Sequence, residues 1–209
     1  MSPQVILFIL VALFVVGWFA LGTQWNVRKG DAALRWLQQG LPQVGEKTTL
    51  RWLGSSAVEL KIEQGKPPFR AAEVVLALEP RDVPPLWLLA RLRGRHDLFI
   101  FRGTLSSRPS LEMEALNPHS WSTRGLDRKC EARGWSALPA PAPLVVYARN
   151  HVQNASELLS AAALSGCPLV RLSLRRDAPE FEVQWQLSHL LAHPSPEIFQ
   201  TIRRITDCL

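Results

Sequence analysis

Hydrophobic residues are concentrated at the start of this 209-residue chain. Residues 5–22, VILFILVALFVVGWFALG, contain no charged and no strongly polar side chain. Because an α-helix rises about 1.5 Å per residue, they predict a helix of about 27 Å, close to the thickness of a bilayer's hydrocarbon layer. Trp18 and Trp25 lie near the end of this run, where indole rings favour the membrane interface. The pattern predicts a transmembrane anchor over residues 1–22.

A cleaved signal peptide is the competing interpretation of the same segment. Ala20 and Gly22 are small residues at the two positions that a signal peptidase reads. Residues 1–4 carry no Lys or Arg, however, and the apolar run is longer than the usual core of a signal peptide. These two features favour an anchor that stays in the chain.

The charges that flank the apolar run predict its orientation. Arg28, Lys29 and Arg35 follow the run, whereas only the terminal amine precedes it. The positive-inside rule therefore predicts an N-terminus outside the cell and residues 23–209 in the cytoplasm. Arginine greatly outnumbers lysine, which is typical of a GC-rich bacterial genome, so the predicted location is the inner membrane.

Residues 23–47 form a predicted juxtamembrane connection with one short helix. Asp31 suits the start of that helix, and Gly40 followed by Pro42 suits its end. Basic and aromatic side chains here are candidates for contact with the membrane surface and its anionic headgroups. These candidates are Trp25, Arg28, Lys29 and Arg35.

From residue 48 the hydrophobic period changes to two, which predicts half-buried antiparallel strands in a β meander. The predicted inward rows are Leu50 and Trp52; Val58, Leu60 and Ile62; Val74, Leu76 and Leu78; Leu86, Leu88, Ala90 and Leu92; Phe99 and Phe101; and Leu111, Met113 and Ala115. The β-rich section runs over residues 48–143. Its end, residues 117–143, is rich in Pro and Gly and contains Trp121 and Trp135, which predicts an ordered irregular segment.

Residues 144–209 predict the order strand, helix, strand, strand, helix. Asn154 followed by Glu157 resembles a capping box that starts the first helix, and Ser195-Pro196 suits the start of the last one. The fold class is therefore α+β, with a possible parallel return strand after the first helix. Whether residues 48–143 and 144–209 form one domain with one sheet stays open.

The net charge of +6 invites an anionic partner, but the charges are interspersed along the chain. If the inward rows of neighbouring strands lie opposite one another, residues of opposite charge also lie opposite one another on the outer face of the sheet. That face is in contact with solvent. The predicted pairs are Arg51 with Glu59, Arg102 with Glu114 and Arg175 with Glu180. Nucleic acid is accordingly not favoured as a partner.

An outward row of apolar and basic residues is the candidate partner surface. It consists of Trp87, Leu89, Arg91 and Arg93. Exposed apolar residues on a strand usually need a cover, so another helix of the chain or a protein partner is expected over Trp87 and Leu89.

Candidate chemical sites are few. Cys130 lies among basic neighbours that would lower the pKa of its thiol, and His119 is the nearest histidine to serve as a base. His189, His193 and Glu197 have helical metal-ligand spacing, but Pro194 and Pro196 oppose a continuous helix, so no metal is predicted there.

Other residues favour ordinary structural roles. Asp97 is read as a turn residue in a hairpin, and the other two cysteines, Cys167 and Cys208, are read as a core residue and a tail thiol. An odd number of cysteines cannot all pair within the chain, which agrees with a reducing compartment. No phosphate-binding or dinucleotide motif is present, so no cofactor is predicted.

The sequence predicts a single-pass, membrane-anchored and non-catalytic interaction or assembly module that faces the cytoplasm. Its partners are the membrane and a protein. The alternatives are a membrane-tethered domain that binds a small ligand or a lipid, and a cysteine-dependent enzyme. An apolar cavity would favour the first alternative.

Overall fold

A computed structural model describes residues 2–149 and 155–209, and Asn154 of the predicted capping box lies outside this part. The chain begins with one long helix, α1 (Pro3–Gln38). Its apolar beginning is exposed, and in the described residues it is the one helix long and apolar enough to cross a membrane. The helix does not end at Gly22. The short helix predicted within residues 23–47 is the continuation of α1, which gives way to a 3-10 turn at Leu41–Gln43.

The described residues form an antiparallel sheet of nine strands. These strands are β1 (Thr48–Trp52), β2 (Ala57–Ile62), β3 (Phe69–Ala77), β4 (Leu98–Leu105), β5 (Met113–Leu116), β6 (Ser136–Leu138), β7 (Val145–Ala148), β8 (Leu169–Leu174) and β9 (Phe181–Gln186). Their order is β1-β2-β3-β4-β9-β8-β5-β7-β6. The α+β class is confirmed, and strands from both sections of the sequence belong to one sheet.

Five further helices accompany the sheet in the described part of the chain. They are α2 (Pro84–Leu92), α3 (Leu126–Ala132), α4 (Ala155–Ala162), α5 (Leu187–Leu190) and α6 (Ser195–Asp207). The second half of α1 packs with α4 and α6 over one face, where Phe101 meets Phe199 and Trp36 meets Phe99 edge to face. A smaller cluster around Cys130 and Tyr147 holds α3 near the other face.

Residues 84–92 form a helix and not the predicted strand, so the row of Leu86, Leu88, Ala90 and Leu92 does not point into a core. The physical reason is local. Pro84 and Pro85 occupy the first helical turn, where their missing N–H groups cost nothing, and the Leu, Ala and Arg that follow favour a helix. The alternation of residue types over 84–92 is too short to distinguish the period of two of a strand from the period of 3.6 of a helix.

The order of the strands also changes one predicted ion pair. Arg51 lies opposite Glu59 as predicted, and the backbone N–H of Arg175 donates to Glu180. Arg102 does not meet Glu114, because β9 and β8 lie between β4 and β5. In a β meander consecutive strands are neighbours, but here the hairpin of β8 and β9 lies between β4 and β5.

The C-terminal section follows the predicted order of elements, with the short helix α5 added between β9 and α6. Helix α6 starts at Ser195-Pro196, and its predicted apolar face is buried in the core. Strands β7 and β8 are both antiparallel to β5, which lies between them, so they run parallel to each other without being neighbours. The segment over residues 117–143, predicted to be irregular, contains α3, the edge strand β6 and a 3-10 turn.

Candidate functional site

Helix α1 docks onto the rest of the chain through a stripe of mostly small residues. Gly22, Asn26, Gly30, Ala33 and Leu37 are its buried residues. Intervals of three and four residues place them on one face of the helix. The same helix is exposed throughout most of its first half, so α1 has an apolar free segment followed by a docked segment.

Two glycines set how closely α1 approaches its neighbours. A Cβ on Gly22 would overlap the backbone carbonyl of Arg81, and a Cβ on Gly30 would lie 2.5 Å from the ring of Trp52. A larger residue at Gly22 would therefore push the helix away from the loop, whereas at Gly30 the ring of Trp52 would have to move. The contact at Gly22 fixes the end of the apolar run directly against the loop that follows β3.

Asp97 lies at the centre of a buried ion-pair network beside this contact. Its carboxylate accepts hydrogen bonds from both terminal guanidinium nitrogens of Arg81, at 3.1 and 2.9 Å, and from Nζ of Lys29 on α1 at 2.5 Å. The backbone N–H of Glu79 donates to it at 2.7 Å. The residue predicted as a simple turn residue thus joins α1 to the sheet.

Asn26, about one turn before Lys29 on α1, completes this arrangement. Its Nδ2 donates to the backbone carbonyl of Glu79 at 3.0 Å, and its Oδ1 accepts from Arg81 at 3.0 Å. We refer to Asn26, Lys29, Glu79, Arg81 and Asp97 as the junction network. Four of its members are buried and Lys29 is half-buried, so its charges act in a medium of low dielectric constant.

The surroundings of Asp97 change its titration. Burial opposes its ionisation, but the hydrogen bonds from Arg81 and Lys29 outweigh burial and lower the pKa of the carboxyl below its usual value. Asp97 is therefore ionised at neutral pH. Two cations, one on α1 and one on the loop after β3, are held by the same carboxylate.

Tryptophans extend the junction toward α2. Nε1 of Trp18 on α1 donates to the carbonyl of Arg81 at 2.9 Å, and the Trp18 ring lies 6.0 Å from that of Trp87 on α2. Nε1 of Trp87 donates in turn to Glu79 at 2.9 Å. Helix α2 is thereby fixed beside the last turns of the apolar run.

A largely apolar cavity of about 730 Å³ opens between α1 and α2. Its walls are Trp18, Leu21, Gly22, Gln24, Trp25, Arg28, Lys29, Arg81 and Trp87. A space of this size accommodates an apolar ligand or an acyl chain. Of the cations at its wall, Lys29 and Arg81 are paired with Asp97, and Arg28 is exposed.

The predicted membrane-surface residues occupy different environments. Trp25 and Arg28 are exposed and line the cavity. Lys29 lines the cavity as well, but its charge is paired with Asp97. Arg35 lies 13 residues beyond Gly22, about 20 Å further along the helix, and is exposed away from the cavity. The structure therefore groups three of the four candidates.

The predicted partner surface is divided between the two sides of α2. Trp87 faces α1, and the guanidinium of Arg91 stacks on its ring at 5.7 Å. Leu89 and Arg93 are exposed. The cover expected over Trp87 is Trp18 of α1, whereas Leu89 has no cover within the described residues. Trp87 therefore joins the cavity, and the four residues do not form one outward row.

A second ion-pair network lies on the other face of the sheet. Glu114 accepts hydrogen bonds from Arg171 at 3.0 Å, from Ser173 at 2.8 Å and from Arg175. Arg171 also reaches Glu182 at 2.7 Å. Burial opposes the ionisation of Glu114, but the two arginines lower its pKa below the usual value. This network links β5, β8 and β9, and its carboxylates and guanidinium groups neutralise one another.

The candidate thiol does not have the environment of a nucleophile. Cys130 is buried on α3, and burial together with the charge of Glu114 raises the pKa of its thiol to about 11. The charges of Arg133, Arg175 and Arg171 oppose this rise without reversing it. Cys130 is therefore protonated at neutral pH, contrary to the expectation of a lowered pKa.

The two histidines near the last helix bond to backbone carbonyls. Nδ1 of His189 lies 3.0 Å from the Gly166 oxygen, and Nε2 of His193 lies 2.9 Å from that of Ser165. His193 also approaches Glu197 at 3.7 Å. Within residues 2–149 and 155–209, no group of three or more His, Cys, Asp or Glu side chains is placed to hold a metal ion.

Sequence reasoning missed the junction network and the docking face of α1. The stripe of Gly22, Asn26, Gly30 and Ala33 is visible in the sequence, with the spacing of a helical face. It runs across the predicted boundary at residue 22, so dividing the chain there concealed it. The partners of Asp97 lie 16 and 68 residues away in the sequence, and no local pattern connects them.

Comparison with known proteins adds no relative from which a function could be transferred. The chain matches no protein-family model and no curated protein.

Proposed function

We propose that this protein is a single-pass membrane protein that presents its α+β domain to a protein partner on the cytoplasmic face, as an interaction or assembly module. The observation that carries the proposal is the division of α1 into an exposed apolar half and a docked half. An apolar segment of this length, exposed on all sides, is stable in lipid and unfavourable in water.

The way in which α1 is docked supports an anchor that remains in the chain. Trp18 and Gly22, both within the segment that a signal peptidase would remove, contact Arg81 of the domain. Cleavage after Gly22 would remove the hydrogen bond from Trp18 and expose the loop after β3. The basic residues Arg28 and Lys29 follow the apolar segment, which supports a cytoplasmic domain.

The distribution of polar groups favours interaction over catalysis. The buried carboxylates Asp97 and Glu114 each bind two cationic side chains with pKa values lowered, which is typical of structural ion pairs. The buried thiol of Cys130 is protonated at neutral pH. These groups hold elements together and are not poised for proton transfer or nucleophilic attack.

Membrane insertion and orientation are tested together in intact cells. We expect the full chain to stay with the membrane in alkaline carbonate and to keep its N-terminal segment by mass. In a Cys208→Ser background, a Ser2→Cys variant should react with an impermeant maleimide, and a Ser107→Cys variant should react only after permeabilisation. Extraction by carbonate or loss of residues 1–22 would overturn the anchor. Labelling of Ser107→Cys in intact cells would overturn the orientation.

The interaction role is tested by crosslinking in cells followed by purification in mild detergent. We expect one protein to be recovered in constant proportion to this chain, and not with an unrelated single-pass protein purified in the same way. A chain that is crosslinked to nothing above that background would contradict the interaction role.

A membrane-tethered lipid-binding domain is the second candidate function, because the cavity of about 730 Å³ lies beside the apolar segment. Its tryptophans suit an acyl chain, and the exposed Arg28 suits an anionic headgroup. Native mass spectrometry of the purified chain should then show one retained phospholipid. Trp25→Ala, at an exposed position of the cavity wall, should lose it, and Leu50→Ala, at an exposed position outside that wall, should retain it. No retained lipid in the unmodified chain would exclude this candidate.

A further inference from the structure

The end of the domain beside α1 exposes a second apolar surface. Leu86, Leu88, Leu89 and Leu92 of α2 are between 43% and 77% exposed. At about 100° per residue these four side chains cover one side of the helix, opposite Trp87. A soluble protein rarely exposes four leucines within a single short helix without a partner for them.

The position of this surface is fixed relative to the apolar run of α1. Trp18 packs against Trp87 of α2, and Gly22 touches the backbone at Arg81, three residues before the helix begins. Leu53, at the turn after β1, is exposed as well, and Ser55 of that turn donates to Asp82 at 2.5 Å. Five of the six exposed leucines outside α1 thus lie where the apolar run meets the domain, and the sixth, Leu50 of β1, lies apart beside Leu34 and Arg35.

Charge adds to the same arrangement. Arg91 and Arg93 are exposed at the end of α2, and neither forms an ion pair within the part of the chain that the structure describes. Arg91 stacks on Trp87, whereas the half-buried Arg95 stacks on Trp121, away from this surface. A short helix with a leucine face and adjacent arginines has the composition of helices that lie in the interfacial layer of a bilayer, with apolar side chains among acyl chains and arginines at anionic headgroups.

We propose that α2 is a second membrane contact, whose leucine face lies in the interfacial layer of the same leaflet from which α1 emerges. The inference rests on the proposed function, because it requires α1 to cross the membrane. Its occupant is the bilayer, since α2 packs through Trp87 beside the last turns of the apolar run, its leucine face is turned away from α1 toward the surroundings, and the exposed Arg91 and Arg93 complement anionic lipid. In this arrangement α2 fixes the distance between the domain and the membrane surface. Leu89, predicted as part of a protein-binding row, would contact lipid.

The test uses the full chain in vesicles of phosphatidylcholine and phosphatidylglycerol, with a polarity-sensitive fluorophore at one introduced cysteine. Cys208→Ser is the background, because burial raises the thiol pKa of Cys130 and Cys167 to about 11 and about 12, which leaves both unreactive near neutral pH. Leu92→Cys reports on α2, and Val11→Cys reports on the apolar half of α1. Ser107→Cys is the matched control, because its exposed loop follows the end of β4 that lies away from α2.

Lipids that carry a nitroxide quencher separate the outcomes. We expect quenching at positions 11 and 92 and none at position 107, with Leu89→Cys behaving as Leu92→Cys does. Quenching at 11 but not at 92 would overturn the inference and leave the anchor intact. A blue-shifted but unquenched probe at 92 would show a protein contact, including one with a second copy of the chain, and would also overturn it. Absence of quenching at 11 would overturn the proposed function itself.

Discussion

Nζ of Lys29 on α1 lies 2.5 Å from Oδ2 of Asp97, the residue immediately before β4. The two residues are 68 positions apart in the chain. Their contact joins the helix that carries the apolar segment to β4, an interior strand of the sheet. Because Asp97 also binds Arg81, removing its charge leaves Lys29 without a carboxylate partner and Arg81 with only Glu79, at 3.4 Å.

Asp97→Asn is therefore expected to destabilise the domain. Breaking a buried ion pair by removing one partner costs about 3–5 kcal/mol, because the remaining charge is left uncompensated. The measurement is the free energy of unfolding in detergent, followed by the near-ultraviolet signal of the tryptophans. Glu63→Gln is the control, since Glu63 pairs with Lys47 at the surface and should change little. Equal stability of the two variants would contradict this role of Asp97.

Two glycines of α1 provide a matched comparison. Gly22→Ala places a Cβ into the backbone at Arg81, whereas a Cβ on Gly17 meets nothing within 4 Å. Overpacking costs about 1–3 kcal/mol, so Gly22→Ala should lower the free energy of unfolding and increase protease cleavage after the apolar run. Gly17→Ala should be neutral or slightly stabilising, because alanine favours a helix. The prediction fails if both variants behave alike.

Acid should weaken the two ion-pair networks. The pKa values of Asp97 and Glu114 are lowered in the folded protein, so the unfolded chain binds more protons at the same pH. Their contribution is fully present above about pH 5 and is lost as the pH falls below about 4, through the ordinary carboxyl pKa toward the folded values. Melting temperatures between pH 7 and 3 measure this loss. The double variant Asp97→Asn, Glu114→Gln should lose less stability on acidification than the unmodified chain.

Glu114→Gln tests the network on the opposite face of the sheet. The substitution leaves Arg171 and Arg175 with one negative charge fewer between β5 and β8. A loss of about 3–5 kcal/mol in the free energy of unfolding is expected, without any change in membrane association. Glu112→Gln is the comparison, because the partner of Glu112, Arg149, is exposed. A change in membrane extraction by Glu114→Gln would show that the two faces are coupled.

The thiols should differ in reactivity. Cys208 is half-exposed, whereas Cys130 is buried with a pKa of about 11. Alkylation at pH 7.5 should therefore modify Cys208 first and leave Cys130 unmodified until the chain unfolds, because the thiolate is the reacting form. Peptide mapping by mass spectrometry follows the order of modification. Rapid alkylation of Cys130 in the folded protein would contradict this prediction and support a role for Cys130 as a nucleophile.

Local patterns were sufficient for much of the fold. The period of two located β2, β3, β8 and β9, and Ser195-Pro196 located the start of α6. The order of the strands depends on contacts between distant segments, which periodicity does not record. The insertion of the last hairpin beside β4 therefore could not be predicted, and with it the true partners of Arg102 and Glu114.

The candidate site was less accessible to prediction than the sheet. Trp25, Arg28, Lys29 and Trp87 were each selected from the sequence, but for two separate surfaces. The structure places all four in the wall of one cavity, because α1 continues past the apolar run and brings its next turns beside α2. Arg81 and Asp97 lie in loops with no repeating pattern, so their burial follows only from the three-dimensional arrangement.

The continuity of α1 has a mechanical consequence. A flexible linker would let the domain tumble beneath its anchor, but α1 has no break between its apolar half and its docked half. Because the helix is continuous, any tilt, rotation or vertical displacement of the apolar half is transmitted to the sheet. For a helix that crosses a bilayer, a change in membrane thickness would alter the inclination of the whole domain. In the proposed role of an interaction module, the domain would then meet a partner in an orientation set by the surrounding lipid.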